Sequence, residues 1–169
     1  MSDFPIDVVR SQRRKRTLQA SLREGRIKVM VPADLDPAKE ERMVAELVER
    51  VTRKLTSDGV DLPRRARLLA RRYHLPEPSE VVWSDRQMTR WGSCSPEERR
   101  IRISRRLATM PGWVLDSVLV HELAHLVVAD HGPAFQRLVG RYELTERAKG
   151  YLMAITMTWP DPSVPADRP

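Results

Sequence analysis

The sequence predicts a mixed fold in which short strands come first and helices dominate the second half. Three observations carry that prediction. Apolar and polar residues alternate near the N-terminus, apolar residues recur at helical spacing in several later segments, and 169 residues suffice for one domain with a real core.

Strands account for residues 6–31. Leu18, Ala20 and Leu22 alternate with polar residues, Glu24-Gly25 supplies a turn into 27–31, and Pro32 ends that strand. Asp36-Pro37 then sets an N-cap beside a proline suited to the first helical position. Met43, Val44, Leu47, Val48, Val51 and Leu55 place a helix over 38–56, closed by Asp58-Gly59. A second, basic helix follows at 62–74 and ends near His74, which the pattern leaves on the surface. Short strands are expected at 81–83 and 101–104, with a turn at Ser95-Pro96 between them. Thr109 and Pro111 open a helix that should run through His125 to about 130. Gly132-Pro133 breaks it and starts a helix bearing Phe135, Leu138 and Val139, and a last helix covers roughly 143–156. The tail, 159–169, carries four prolines in eleven residues and is expected to be disordered.

The net charge is +7, carried mainly by arginine in three groups: Arg10 to Arg16, Arg64 to Arg72, and Arg99 to Arg106. That balance suits acidic partners and admits weak nucleic-acid contact, although solvated faces of helices and strands explain it as well. The single cysteine, Cys94, excludes an intrachain disulfide and points to a reducing compartment. The N-terminus has no basic region followed by an apolar run, and the longest apolar stretch, 114–129, is interrupted by Asp116, His121, Glu122 and His125. The expectation is a cytoplasmic protein without a membrane span, of unknown oligomeric state.

Three of the four histidines, His121, His125 and His131, fall within eleven positions. On a helix, His121 and His125 lie about 40° apart on one face, one turn above the other, with Glu122 about 100° from His121. This is the HExxH arrangement, in which two imidazoles grip a metal and the glutamate reaches water beside it without ligating. Leu115, Leu119, Leu123 and Leu126 occupy the opposite side, while Val114, Val118 and Val128 surround the histidines. A helix apolar nearly all round is buried. Burying two imidazoles and a carboxylate without partners costs several kcal/mol, which a divalent cation offsets. A catalytic site needs a third protein ligand. His131 cannot share the face of His121 and His125 on an unbroken helix, but a turn at Gly132-Pro133 could fold it back.

These residues, with Arg90-Trp91-Gly92-Ser93-Cys94 upstream, resemble the YgjP-like metallopeptidase family, itself related to the WLM and SprT-like zincins. The family pattern runs RWGSC, a strand, a proline-led helix, HELxH, and a third histidine followed four residues later by phenylalanine. Here it reads Trp91-Gly92-Ser93-Cys94, Pro111, His121-Glu122-Leu123-Ala124-His125, His131 and Phe135, and the likeness spans about residues 8–156. The resemblance implies an α+β, zincin-like fold: a small mixed or antiparallel sheet over the HExxH helix, preceded by N-terminal strands and a helix. It implies one metallopeptidase domain over 1–158, with its catalytic core at about 60–156.

By the same resemblance His121, His125 and His131 would ligate one zinc ion, and Glu122 would act as general base in hydrolysing a peptide or protein substrate. Zinc would polarise the scissile carbonyl and acidify water, and Glu122 would carry the proton to the leaving amine. The substrate would add as a strand along the sheet edge, for which 101–104, led by Ile101, is the candidate. Trp91, Gly92 and Ser93 are candidates for the substrate cleft, with plain packing the competing role for Trp91. Tyr142 is a candidate for oxyanion stabilisation, against core packing. Cys94 as a fourth ligand would close the site and make the zinc structural, whereas a small buried hydrophobe suits the same residue. Two other functions stand beside peptidase: a nucleic-acid-associated metalloprotein, which could also be a protease of nucleic-acid-linked proteins, and a structural zinc domain without turnover.

Overall fold

The computed structural model describes residues 4–13, 16–87 and 89–158, and the proline-rich segment 159–169 lies outside them. The chain packs as two compact units, Met1–Gly59 and Val60–Pro169.

In the first unit, strands β1 (Ile6–Ser11), β2 (Gln19–Arg23) and β3 (Arg26–Pro32) form a sheet of order β1-β3-β2, and helix α1 spans Pro37–Asp58. Strand β1 runs parallel and β2 antiparallel to β3. The β2–β3 turn is made by Glu24 and Gly25 at φ 50° and 73°, the paired left-handed residues that match a tight hairpin to strand twist. Alternation along β3 buries Ile27, Val29 and Val31 completely, and Leu47 and Val48 of α1 cover them. At the start of α1 the Asp36 side chain accepts a hydrogen bond from the Lys39 amide, and Pro37 occupies the first turn.

The second unit begins with α2 (Leu62–Arg72), followed by β4 (Glu80–Ser84), β5 (Gly92–Ser95) and β6 (Arg100–Ser104). After a short 3₁₀ turn (Arg105–Thr109) come α3 (Gly112–Ala124), α4 (Pro133–Val139) and α5 (Thr145–Thr158). The sheet is mixed, of order β4-β6-β5, with β4 parallel and β5 antiparallel to β6. This is the α+β architecture expected, with a small mixed sheet packed on the HExxH helix. Its core joins Leu115, Leu119 and Leu123 of α3 to Leu62, Ala66 and Leu69 of α2 and to Val81, Ile101 and Ile103 of the sheet.

Two expectations are corrected. Segment 101–104 is the central strand rather than the edge, and Ile101 is fully buried. The edge is β5, whose sequence Gly-Ser-Cys-Ser lacks the bulky alternation that marks a strand. Helix α3 is also shorter than the expected span. Pro111 rather than Thr109 occupies its N-cap, and His125 is already its C-cap. Among the described residues, no helix is long and apolar enough to cross a membrane.

Candidate metal centre

Helix α3 is apolar on nearly every side, and Val114, Leu119, Val120 and Leu123 are fully buried. His121 and His125 leave its last turn one above the other, as their spacing requires. After Ala124 the chain leaves the helix through tight turns, with the amides of Leu126 and Val127 bonding to the carbonyls of Leu123 and Ala124. The Asp130 carboxylate accepts a 2.7 Å hydrogen bond from the Gly132 amide, and the Gln136 amide group donates to the His131 carbonyl. These bonds shape the return that brings His131 to the helix end.

The three imidazoles converge. His121 Nε2 lies 3.2 Å from His125 Nε2 and 3.3 Å from His131 Nε2, and one ligand atom from each histidine falls within 4.8 Å of the others. Neighbouring nitrogens around a tetrahedral ion with metal–nitrogen bonds of 2.0–2.1 Å stand about 3.3 Å apart, so the spacing fits such an ion. The protonation states agree. The His125 Nδ1 proton is shared with the Val128 carbonyl at 3.1 Å, which leaves the Nε2 lone pair facing the other rings. Burial, reinforced by the two neighbouring imidazoles, pushes the His121 pKa down to about 4, so that ring is neutral at pH 7. Burial likewise lowers His125, against the pull of its Val128 bond. Imidazole nitrogens converging at this spacing, with the Nδ1 proton of His125 held by a backbone carbonyl, make a donor set suited to a metal ion.

Phe135, on α4 and 1% exposed, touches all three rings. It stacks on His125 at 4.5 Å and meets His121 and His131 edge-on at 4.8 and 4.7 Å. The sequence marked Phe135 only by its place four residues after His131; its role as the floor beneath the histidines emerges from the fold.

Glu122 is 5% exposed, next to the triad. Burial raises its carboxyl to about 7, with Arg90 pulling the other way. A cavity of about 1040 Å³ opens over these groups, bounded by Trp91–Cys94 on β5 and its approach, by Val118 of α3 and by Leu152 of α5. Trp91 thus lines the cavity and also packs, with the Arg106 guanidinium 3.8 Å from its ring centre. Ser93 lines it too, its hydroxyl accepting a 2.6 Å hydrogen bond from the Gln87 amide group.

Other candidates fall elsewhere. Ile101 lies in the core and does not line the cavity. Tyr142 is buried against Tyr73, its hydroxyl donating to the Trp113 carbonyl at 2.9 Å, and it does not line the cavity. Cys94 borders the cavity but is not in the histidine cluster; burial first, and the Glu122 charge second, raise its thiol to about 11. His74 is exposed.

Comparison with known proteins agrees with this picture. The model of the YgjP-like metallopeptidase domain matches residues 5–149. No curated protein matches the chain. Among solved structures, the zymogen of the Pyrococcus abyssi metallopeptidase abylysin is similar at TM-score 0.50 and 21% identity, over 58% of this chain and 94% of that one. The zymogen of the Methanocaldococcus jannaschii metallopeptidase jannalysin aligns at TM-score 0.48 and 13% identity, over 57% of this chain and 97% of that one. The matched family span covers both the histidine triad and the RWGSC segment, and the chain belongs to the YgjP-like metallopeptidase family.

Proposed function

We propose that this chain is a zinc-dependent peptidase in which His121, His125 and His131 hold one zinc ion and Glu122 is the general base. The observation that carries the reading is the convergence of three imidazole nitrogens beside a buried carboxyl group, under an open cavity. Zinc, when bound, supplies Lewis acidity that polarises a carbonyl and acidifies water. Glu122, raised to about 7, accepts the proton of the attacking water as the new carbon–oxygen bond forms. It then delivers that proton to the departing amine nitrogen as the peptide bond breaks.

The edge strand offers a place for an extended substrate. Ser104 donates its amide proton to the Trp91 carbonyl, so Trp91 faces β6 and, by the antiparallel alternation, Gly92 and Cys94 turn their backbone groups outward. A peptide pairing there would lie along the cavity above Glu122. The family match runs across both compact units, which supports treating 1–158 as one functional domain.

Metal analysis and a peptide-library digest of wild type and Glu122→Gln test the reading. The variant should keep one zinc ion per chain and lose hydrolysis by about 10²–10⁴-fold. Hydrolysis at the wild-type rate would refute the role of Glu122. Loss of zinc together with unfolding would favour a structural metal.

A further inference from the structure

We infer that Gly92 is a positioning residue for Glu122: the absence of a side chain at 92 creates the slot in which the general base is held. The inference rests on the peptidase reading and adds a residue to its machinery. A β-carbon built on Gly92 would lie 2.5 Å from Glu122 Oε1, 2.8 Å from its Cγ and 2.9 Å from its Cδ. The glutamate therefore lies flat along the Gly92 backbone over most of its length.

Backbone conformation does not call for glycine here. Among the described glycines only Gly25 has positive φ, and Gly92 begins an ordinary strand paired with Ile103. Glycine inside a strand weakens it and commonly marks the close approach of another group. At position 92 that group is the carboxylate of α3. Strand alternation sets Gly92 and Cys94 on the same side of β5, and both border the cavity that contains Glu122. The edge strand proposed to pair with substrate thus also supplies the wall against which the base rests.

Two consequences separate this role from a merely structural one. The atoms crowded by a new β-carbon all belong to the Glu122 side chain, from Cγ to Oε1, and none to backbone, so Gly92→Ala should fold and bind metal nearly as the wild type does. The carboxylate, however, must move by roughly 1 Å, and a misplacement of that size costs on the order of 10²-fold in rate. Asp in place of Glu122 is one methylene shorter and withdraws from the crowded space, so the two positions should be coupled.

The test combines zinc content, thermal unfolding and peptide hydrolysis for wild type, Gly92→Ala, Glu122→Asp and the double variant. It adds the carboxyl ¹³C shift of Glu122 in metal-free wild type and Gly92→Ala. Gly92→Ala should lower kcat about 100-fold with KM and zinc content unchanged, and should move the Glu122 ¹³C resonance. In the Glu122→Asp background the same change should cost less than about 10-fold. Activity of Gly92→Ala within about threefold of wild type, an equal penalty in both backgrounds, or loss of zinc and fold would each overturn the inference. If wild type and Glu122→Gln hydrolyse equally, the peptidase reading itself fails. The ¹³C shift still reports whether position 92 confines the carboxyl group.

Discussion

At the scale of the residue, His121 carries the largest consequence of burial. Its pKa falls to about 4 in the folded protein from an ordinary 6.5. Between those values His121 holds more proton in the unfolded chain than in the native one, so its own contribution to the stability of the metal-free protein falls as pH drops through 6.5 toward 4. Glu122, raised to about 7, acts in the opposite sense over the same range, so the loss should appear in the metal-free Glu122→Gln background, on the order of 1–2 kcal/mol between pH 7 and pH 5 in urea unfolding. His121→Asn should flatten that slope; an unchanged slope would mean that His121 is not the group responsible. His121, His125 and Glu122 were legible in the sequence because helical spacing alone places them. Sequence spacing left two roles open for Tyr142 and set Ile101 at a sheet edge, because neither a buried hydroxyl's partner nor a strand's place in its sheet is written in local spacing. Gly92 could be named only as a cleft residue, since its contact with Glu122 joins positions thirty apart.

At the scale of the element, the end of α3 matters more than its length. The expected helix to about 130 would have carried His131 around the cylinder, away from its partners. Ending at Ala124 leaves seven residues to turn back, and α4 then brings Phe135 beneath all three rings. Phe135→Ala should cost about 3–5 kcal/mol in urea unfolding, as a large buried aromatic does. It should also weaken metal affinity about 10–100-fold in a chelator competition, because the ring supports the ligands without touching the ion. Unchanged affinity would show that the imidazoles hold their geometry without that floor. The Gly132-Pro133 pair was a sound marker for the start of α4, but the turn begins earlier, at a helix end that carries no glycine or proline. Strand β5 escaped detection for a related reason: four small residues show no apolar period, and their strand character comes from pairing with β6.

At the scale of the whole molecule, several arginines of the groups that gave the sequence its basic balance pair with carboxylates. Arg10 pairs with Glu40, Arg65 with Asp116, Arg71 with Glu77, Arg100 with both Glu80 and Glu98, and Arg105 with Asp85. The Arg65 pair is the most sheltered, its guanidinium 2.5 Å from Asp116 and also bonded to the Gly112 carbonyl, so it ties α2 to the start of α3. Such pairing favours structural roles for these arginines. Functional chemistry concentrates instead in the second unit, where a sheet edge, the HExxH helix and the returning histidine surround one cavity.

The most direct test of that arrangement is X-ray absorption spectroscopy at the zinc edge of the metal-loaded full-length protein. Three imidazole nitrogens at about 2.0–2.1 Å, with no sulfur in the coordination sphere, are predicted. A thiolate at about 2.3 Å would place Cys94 on the ion and contradict the open, three-histidine centre.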